Sequence, residues 1–490
     1  MKKRPISRRQ FMQLTAASAA GMALLPGFTF AGDRIPAPLK RTFGKTGFKV
    51  TTLGLGGQAS IQWTPEDVDP VAIILKAFKL GVNYFDTSNL YGPSQLNYHK
   101  AFEKMNLIPG RKGYDEGLRK SIFLTTKTHI RWGKGGFINS DAVGNWTNGD
   151  PAAGAVGDLR RSLSQMFGDG EGNYPKGAYV DMVLIHSLNT TEEVDVLYIG
   201  LETPLVPEEN FGALVALRDF RDGTNHTGLN PDHEKLIRHI GFSGHRSAPV
   251  MMEMIRRDEY GILDAMLVAI NANDRNMLNM QYNVIEVAAA KNMGIIAMKV
   301  FADGAMYTKE ARWSRTPEDV VRSVGSEALP SRPLVEYSLT TPGVHTAIIG
   351  IGQIDDDPLK CQLVQNFYSA QIKPDALSQQ DRRKIEEMAG RVKDGATNYF
   401  QLPKQDLTAP VRAEVLRDKG VELRWDTAIA GDEPLVGYEI MRDGKLIATV
   451  PHRPQTTTEP FRYSDTGEGR EYRIVSVDAA GRKAASEALS

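Results

Sequence analysis

Four polar residues stand where short apolar runs end. Asp86 follows residues 82–85, Tyr91 lies five residues further on, Lys127 follows Phe123-Leu124-Thr125-Thr126, and His186 follows residues 182–185. A phenol beside an ammonium group can give and take a proton, because a neighbouring positive charge favours the phenolate, and a carboxylate can hold that ammonium in place. An imidazole can donate or accept a hydrogen bond near neutral pH, so a place where all four groups meet is a place for chemistry. Singly, each has an ordinary structural role: Asp86 could cap a turn, Tyr91 could be a loop aromatic, Lys127 could be solvated and His186 could be a core histidine. Their joint placement is what points to a site, and it requires residues a hundred positions apart to converge.

The elements that would bring them together are legible in outline. Eight short apolar runs, at 53–56, 82–85, 122–125, 180–185, 239–242, 265–270, 294–298 and 344–349, alternate with helical patterns. Eight is the strand count of an α/β fold, the (β/α)8 TIM barrel, in which every strand opens its C-terminal end on the same face. Asp69 and Pro70 open a helix that carries Val71, Ile74, Leu75 and Phe78 on one face and stops at Gly81. Pro249 opens another, whose Met251, Met254 and Ile255 are expected in the packing. Residues 41–50 read as a hairpin ahead of the barrel, and Ser378 with Asp381 forms a capping box on the helix that closes it. Connections 131–151 and 188–210 follow strands and should rise over the mouth, whereas 168–177 precedes one and should lie at the other end. Trp63, Trp132, Phe137 and Trp146 could line a pocket there or serve as loop packing.

At 490 residues the chain exceeds one ordinary domain. The barrel is expected over residues 40–395, a linker over 396–410, and a second unit over 411–490, where short alternating strands replace all helix signals. With 59 basic and 59 acidic residues the net charge is zero, which gives no general attraction to nucleic acid. Cys361 is the single cysteine, so an intrachain disulfide, a multi-cysteine zinc site and an iron-sulfur cluster are excluded, and no metal is expected. A buried, inert thiol is the simplest reading of it.

Three stretches carry resemblances. Residues 1–32 combine Lys2, Lys3 and Arg4, then Ser7-Arg8-Arg9-Gln10-Phe11-Met12, an apolar run too short to span a bilayer, and Thr29-Phe30-Ala31. They resemble a twin-arginine export signal, which implies the twin-arginine machinery as partner, a periplasmic or otherwise exported location, and removal of the segment. Residues 411–490, with Leu423-Arg424-Trp425, Gly437-Tyr438-Glu439-Ile440 and Tyr472-Arg473-Ile474, resemble a fibronectin type III domain, an all-β sandwich. Trp425 and Tyr438 would fill its core. Such modules act as spacers, intramolecular braces or docking surfaces, here on the barrel or on another protein.

The third resemblance covers residues 40–395. Arg41-Thr42-Phe43-Gly44-Lys45-Thr46-Gly47, Leu53-Gly54-Leu55-Gly56-Gly57, Gly81-Val82-Asn83-Tyr84-Phe85-Asp86-Thr87-Ser88 with Tyr91-Gly92, Thr125-Thr126-Lys127 and Val180-Asp181-Met182-Val183-Leu184-Ile185-His186 look like the aldo-keto reductases. What this implies is hydride transfer between NADP or NAD and a small-molecule carbonyl or alcohol, with a sugar-like substrate among the candidates. Tyr91 would be the proton donor, Lys127 and Asp86 its supports, and His186 the residue that orients the substrate. By order along the family pattern, Gly56, Gly57, Gln58, Ser243, Met298 and Lys299 would approach the nicotinamide end. Gly350, Gly352 and Asn366 would approach the pyrophosphate and adenosine. Asp355-Asp356-Asp357 would repel a 2'-phosphate unless Lys360 or a distant arginine compensates, which leaves NAD and NADP both open. A barrel that has lost its chemistry and binds a solute or glycan is the alternative. A glycoside hydrolase would need two carboxylates at strand ends, and Asp86 alone qualifies.

Overall fold

The computed structural model describes residues 35–135, 139–417, 420–467 and 469–490. The expected export signal at 1–32 and Phe137 lie outside the described residues. Strands β3 (Leu53–Leu55), β4 (Tyr84–Asp86), β5 (Phe123–Thr128), β6 (Val180–Ile185), β7 (Ile237–Gly244), β8 (Leu263–Ala269), β9 (Gly294–Met298) and β10 (Thr346–Ile349) close into an eight-stranded barrel in chain order, with β10 pairing β3. All eight pairings are parallel. The eight expected runs are therefore the eight barrel strands.

Burial on both faces explains why these runs read as apolar almost throughout. Every residue of β4, β5, β6 and β9 is buried. The outer faces are covered by helices such as Pro70–Lys79, whose Asp69 side chain accepts from Val71 N–H, and Ala248–Arg256, whose Met251, Met254 and Ile255 are fully buried. Gly81 ends the first of these at φ 84°, a left-handed backbone in which a side chain would be strained. Ahead of the barrel, β1 (Lys40–Thr42) pairs antiparallel with β2 (Lys49–Thr51). Between them Phe43 sits edge-on to Tyr84, Phe123 and His345, ring centroids 5.3 to 5.9 Å away, and plugs the N-terminal end. With that end filled, the opposite end is the one left for chemistry.

The C-terminal unit comprises two antiparallel sheets. One orders β11 (Val411–Leu416), β12 (Val421–Asp426) and β15 (Phe461–Asp465); the other orders β14 (Lys445–Pro451), β13 (Leu435–Arg442), β16 (Tyr472–Asp478) and β17 (Lys483–Ala485). Trp425, Tyr438, Phe461 and Tyr472 fill the core between them, and Tyr472 O–H donates to Asp465 at 2.7 Å. The barrel meets these sheets through polar contacts. Arg275 Nε donates to Asp432 O at 2.9 Å, Arg383 Nη2 to Glu433 at 2.6 Å, and Asn279 Nδ2 to Gly431 O at 2.6 Å.

Residues 396–410 join the two units, and part of the stretch is also built into the barrel. Thr397, Asn398, Phe400 and Gln401 are buried. Asn273 donates to Thr397, Asn271 to Asn398, and Gln401 to Asp274, each within 2.9 Å. Its proline and polar composition reads as a linker because buried polar side chains that satisfy one another leave no apolar periodicity in the sequence.

Candidate active site

Strand alternation aims the chemistry inward. Side chains two apart share a face, so Tyr84 with Asp86, and Phe123 with Thr125 and Lys127, project to the same side of their strands. The β4–β5 register sets Asp86 opposite Thr125, and β5–β6 sets Lys127 opposite Leu184, two residues before His186. Lys127 Nζ consequently lies 2.5 Å from Asp86 Oδ2, and it donates to Thr87 O at 2.8 Å and to Tyr91 O–H at 3.4 Å. The ammonium also sits 4.6 Å from the centre of the Tyr91 ring. His186 meets that ring edge-on at 5.7 Å, and its Nδ1 is 3.3 Å from Ser88 Oγ. The four residues converge.

Electrostatics at this cluster differ from the sequence expectation in one respect. Burial, reinforced by the Asp86 and Asp303 charges, raises the Tyr91 phenol well above its ordinary value. Lys127 is paired with Asp86, whose negative charge opposes it at the phenol, and burial lowers the ammonium and raises the carboxyl of that pair. At rest the site therefore holds a protonated phenol. That is the form a proton donor requires.

His186 is kept neutral, first by burial and then by Lys127, His129, His245 and Arg131. His129 and His245 are depressed by burial too, His245 to about 3. A base whose pKa falls on folding binds its proton more tightly in the unfolded chain, so its contribution is complete above about 6.5 and is lost as pH falls toward 3. Urea unfolding is expected to give a nearly constant midpoint at neutral pH and a falling one on acidification through that window. His245→Asn should flatten part of the slope.

Sequence reasoning passed over several residues here. His129 continues the Lys127 face two residues further along, a period that was available as a signal; its ring meets His186 at 5.5 Å and Trp146 at 4.8 Å. Arg131, fully buried and paired with Glu193, donates to His186 O at 2.8 Å and Ser187 O at 3.0 Å and so fixes the end of β6. His245 packs against Trp313 and Phe400, at 5.3 and 6.2 Å. Nothing local in the sequence marks those partners, which come from far along the chain. Of the tryptophans singled out, Trp63 lines the central cleft, Trp146 is 56% exposed above His129, and Trp132 forms a bridge with Gly212.

The cleft runs from Asp86 and Tyr91 to Gln362 and Asn366. Gly56, Gly57, Gln58, Met298, Lys299, Gly350 and Asn366 line it together with Asp86 and Tyr91; Ser243 and Gly352, like Lys127 and His186, lie behind that lining. Ser243 is fully buried, and its Oγ accepts from Ser187 N–H at 2.9 Å, which helps set the turn after β6. Gly352 N–H donates to Gln362 Oε1 at 2.7 Å. At Gly57 an added Cβ would fall 2.3 Å from Asp86 O, so only glycine lets this wall approach β4. One side of the cleft comes from residues 299–330, a fourth long connection, which supplies Phe301, Asp303, Tyr307 and Ser323.

Besides Asp86 Oδ1 at the catalytic end, three buried polar atoms in this cleft, Trp63 Nε1, Tyr307 O–H and Asn366 Oδ1, lack a hydrogen-bond partner among the described residues. Two donors and an acceptor spaced along a glycine-lined groove fit an elongated polar ligand such as a dinucleotide. Among the described residues no group of acidic, histidine or cysteine side chains could hold a metal ion.

The sequence profile of the aldo/keto reductase family matches residues 52–348. A stretch of 54 residues is 43% identical to L-galactose dehydrogenase of Arabidopsis thaliana, and it covers 11% of this chain and 17% of that protein. Among solved structures, a putative aldo-keto reductase from Pseudomonas aeruginosa aligns with a TM-score of 0.41 at 20% identity, covering 69% of this chain and 99% of the other. An aldo/keto reductase from Klebsiella pneumoniae in complex with NADP and acetate aligns with a TM-score of 0.44 at 16% identity, covering 72% and 95%.

Proposed function

The chain belongs to the aldo/keto reductase family, and on that premise we propose that this oxidoreductase interconverts a carbonyl and an alcohol on a neutral, sugar-like small molecule, with Tyr91 as proton donor and acceptor. The observation that carries the reading is the meeting of Asp86, Tyr91, Lys127 and His186 from three strand ends, with Lys127 Nζ 2.5 Å from the carboxylate and 3.4 Å from the phenol.

NADP or NAD, when bound, supplies or accepts the hydride. Gly56, Gly57, Gln58, Met298 and Lys299 would hold its nicotinamide end, and Gly350 and Asn366 the far end, where the orphaned Asn366 Oδ1 can accept a hydrogen bond. Tyr91 donates its proton to the carbonyl oxygen as negative charge develops there. Lys127 then stabilises the phenolate left behind, and Asp86 keeps the ammonium within reach. His186, held neutral, donates to or accepts from the same oxygen and fixes its direction toward the phenol. In the oxidative direction the phenolate takes the alcohol proton back.

Two observations support a neutral polyhydroxylated substrate. The ammonium groups at the mouth are both engaged, Lys127 by Asp86 and Lys299 by Asp303 at 3.5 Å, and the histidines are uncharged. Exposed Trp146 and Trp313 offer faces on which a sugar ring can stack. The short match to a plant L-galactose dehydrogenase is in keeping with this.

We further read residues 1–32 as a twin-arginine signal that exports the folded protein to the periplasm with its cofactor bound, and the C-terminal sheets as a brace on the barrel. Periplasmic protein denatured after purification should release a nicotinamide nucleotide, which chromatography would detect; release of none would remove that version. The central test is a fluorescence titration of the mature protein with NADH and with NADPH, followed by turnover against a set of aldoses and simple aldehydes. Binding of neither nucleotide would overturn the reading, and binding without any turnover would favour a solute-binding barrel.

A further inference from the structure

Beyond its first residue, Lys299, whose carbonyl accepts from Asn271 Nδ2 at 2.9 Å, the connection 299–330 is fastened at two places. Near Val321, Arg322 grips Asp67 with two bonds of 3.0 and 2.7 Å, and Gln362 Nε2 donates to Val321 O and Ser323 O at 3.0 and 2.6 Å. Those partners all belong to the barrel. The other fastening is at Asp303 and reaches outside it.

Asp303 Oδ2 accepts from Lys309 Nζ at 2.9 Å, from Ser314 Oγ at 3.2 Å and from Tyr399 O–H at 3.1 Å. Lys393 Nζ donates to Ala305 O at 2.7 Å and also to Lys309 O. Trp313 stacks edge-on against Tyr399 at 5.4 Å and lies under Lys299 Nζ at 4.5 Å. Tyr399 and Lys393 belong to the segment that leads out of the barrel toward the C-terminal sheets. That segment is seated independently, by Thr397, Asn398 and Gln401 on the turn after β8.

The backbone on both sides of this junction is strained. Lys299, Ala302 and Asp303 have φ of 58, 49 and 57°, and Lys393 and Asp394 have φ of 50 and 51°. Left-handed backbone at residues other than glycine persists where surrounding contacts over-determine it. Without the contacts from Lys393 and Tyr399, residues 299–314 would have less to hold them in that conformation over the cleft that Phe301, Asp303 and Tyr307 line.

We propose that segment 391–402 is the latch of the 299–330 connection, and that Lys393 and Tyr399 are positioning residues which set how long the nicotinamide dinucleotide stays bound. The proposal rests on the cofactor reading above. It assigns the stretch between barrel and sheets a part in the site, although neither residue lines the cleft.

The test loads wild-type protein with NADH, and in parallel with NADPH, mixes it with excess NAD or NADP, and follows loss of the bound nucleotide's fluorescence. Tyr399→Phe and Lys393→Met are each expected to release nucleotide about tenfold faster, since each removes hydrogen bonds to charged or buried partners. The association rate and the thermal midpoint of the nucleotide-free protein should stay near wild type, which separates a latch from general destabilisation. Lys404→Met, which removes a 2.6 Å ion pair to Asp432 further along the same stretch, should release at the wild-type rate. Unchanged release in both latch variants, or equal acceleration in Lys404→Met, would overturn the proposal. Failure of the wild type to bind either nucleotide would overturn the cofactor reading with it.

Discussion

Tyr91→Phe is expected to lower kcat for carbonyl reduction about 100- to 10,000-fold, the range spanned by loss of a positioned proton donor. The ring remains, so its contacts with His186 and the Lys127 ammonium remain, and only the hydroxyl is lost. Nucleotide affinity, read by the same fluorescence titration, should therefore change little, and the thermal midpoint should hold. Turnover within threefold of wild type would end the assignment of Tyr91, whatever the fate of its neighbours. The raised phenol pKa adds a direction: its titration lies above the ordinary tyrosine range, so reduction should not lose its proton donor anywhere near neutral pH.

The second large effect concerns the ion pair beneath that phenol. Lys127 and Asp86 are each about 1% exposed, and Lys127→Met leaves the carboxylate buried without its partner. Breaking a buried pair from one side costs about 3–5 kcal/mol, because the remaining charge keeps its desolvation penalty and loses its compensation. Urea unfolding should show that loss directly, and turnover should fall with it. The double variant Asp86→Leu with Lys127→Met removes both charges and should recover much of the stability while staying inactive. If the double variant were as unstable as the single one, the cost would lie in packing and the electrostatic account would fail. Recovered activity would show that the ammonium does nothing for the phenol.

These outcomes bear on how the region works as a unit. The pair is held inside the barrel by β4 and β5, the phenol by the loop between them, and the imidazole by a turn that Arg131 and Ser243 fasten. Asp303 adds its charge to the Tyr91 environment from the connection on the other side of the cleft. Movement of that connection would thus change both the enclosure of the cofactor and the acidity of the donor.

Much of this was legible from the chain alone, for identifiable reasons. The barrel strands are buried on both faces, so they leave continuous apolar runs, and a polar residue directly after such a run stands out; Asp86, Lys127 and His186 were found that way. Helix Pro70–Lys79 carried its own start and stop in Asp69, Pro70 and Gly81. The aromatic core of the second unit was visible in Trp425 and Tyr438. His129 could have been found by carrying the period of β5 two residues further.

What the sequence by itself determined were the quantities that depend on neighbours along the chain: strand count, helix ends, the order of the units, and which residue types stand at the mouth. Tertiary structure alone decided the rest. It set Lys127 Nζ 2.5 Å from Asp86 and buried the phenol beside that pair, which raises the phenol above its ordinary value. It withdrew Ser243 from the cleft to brace a turn, and it brought Tyr399 back across nearly a hundred residues to meet Asp303. The physical reason is the same in each case. Burial and pairing energies depend on which groups come within a few ångströms through space, and the spacing of residues along the sequence does not carry that distance.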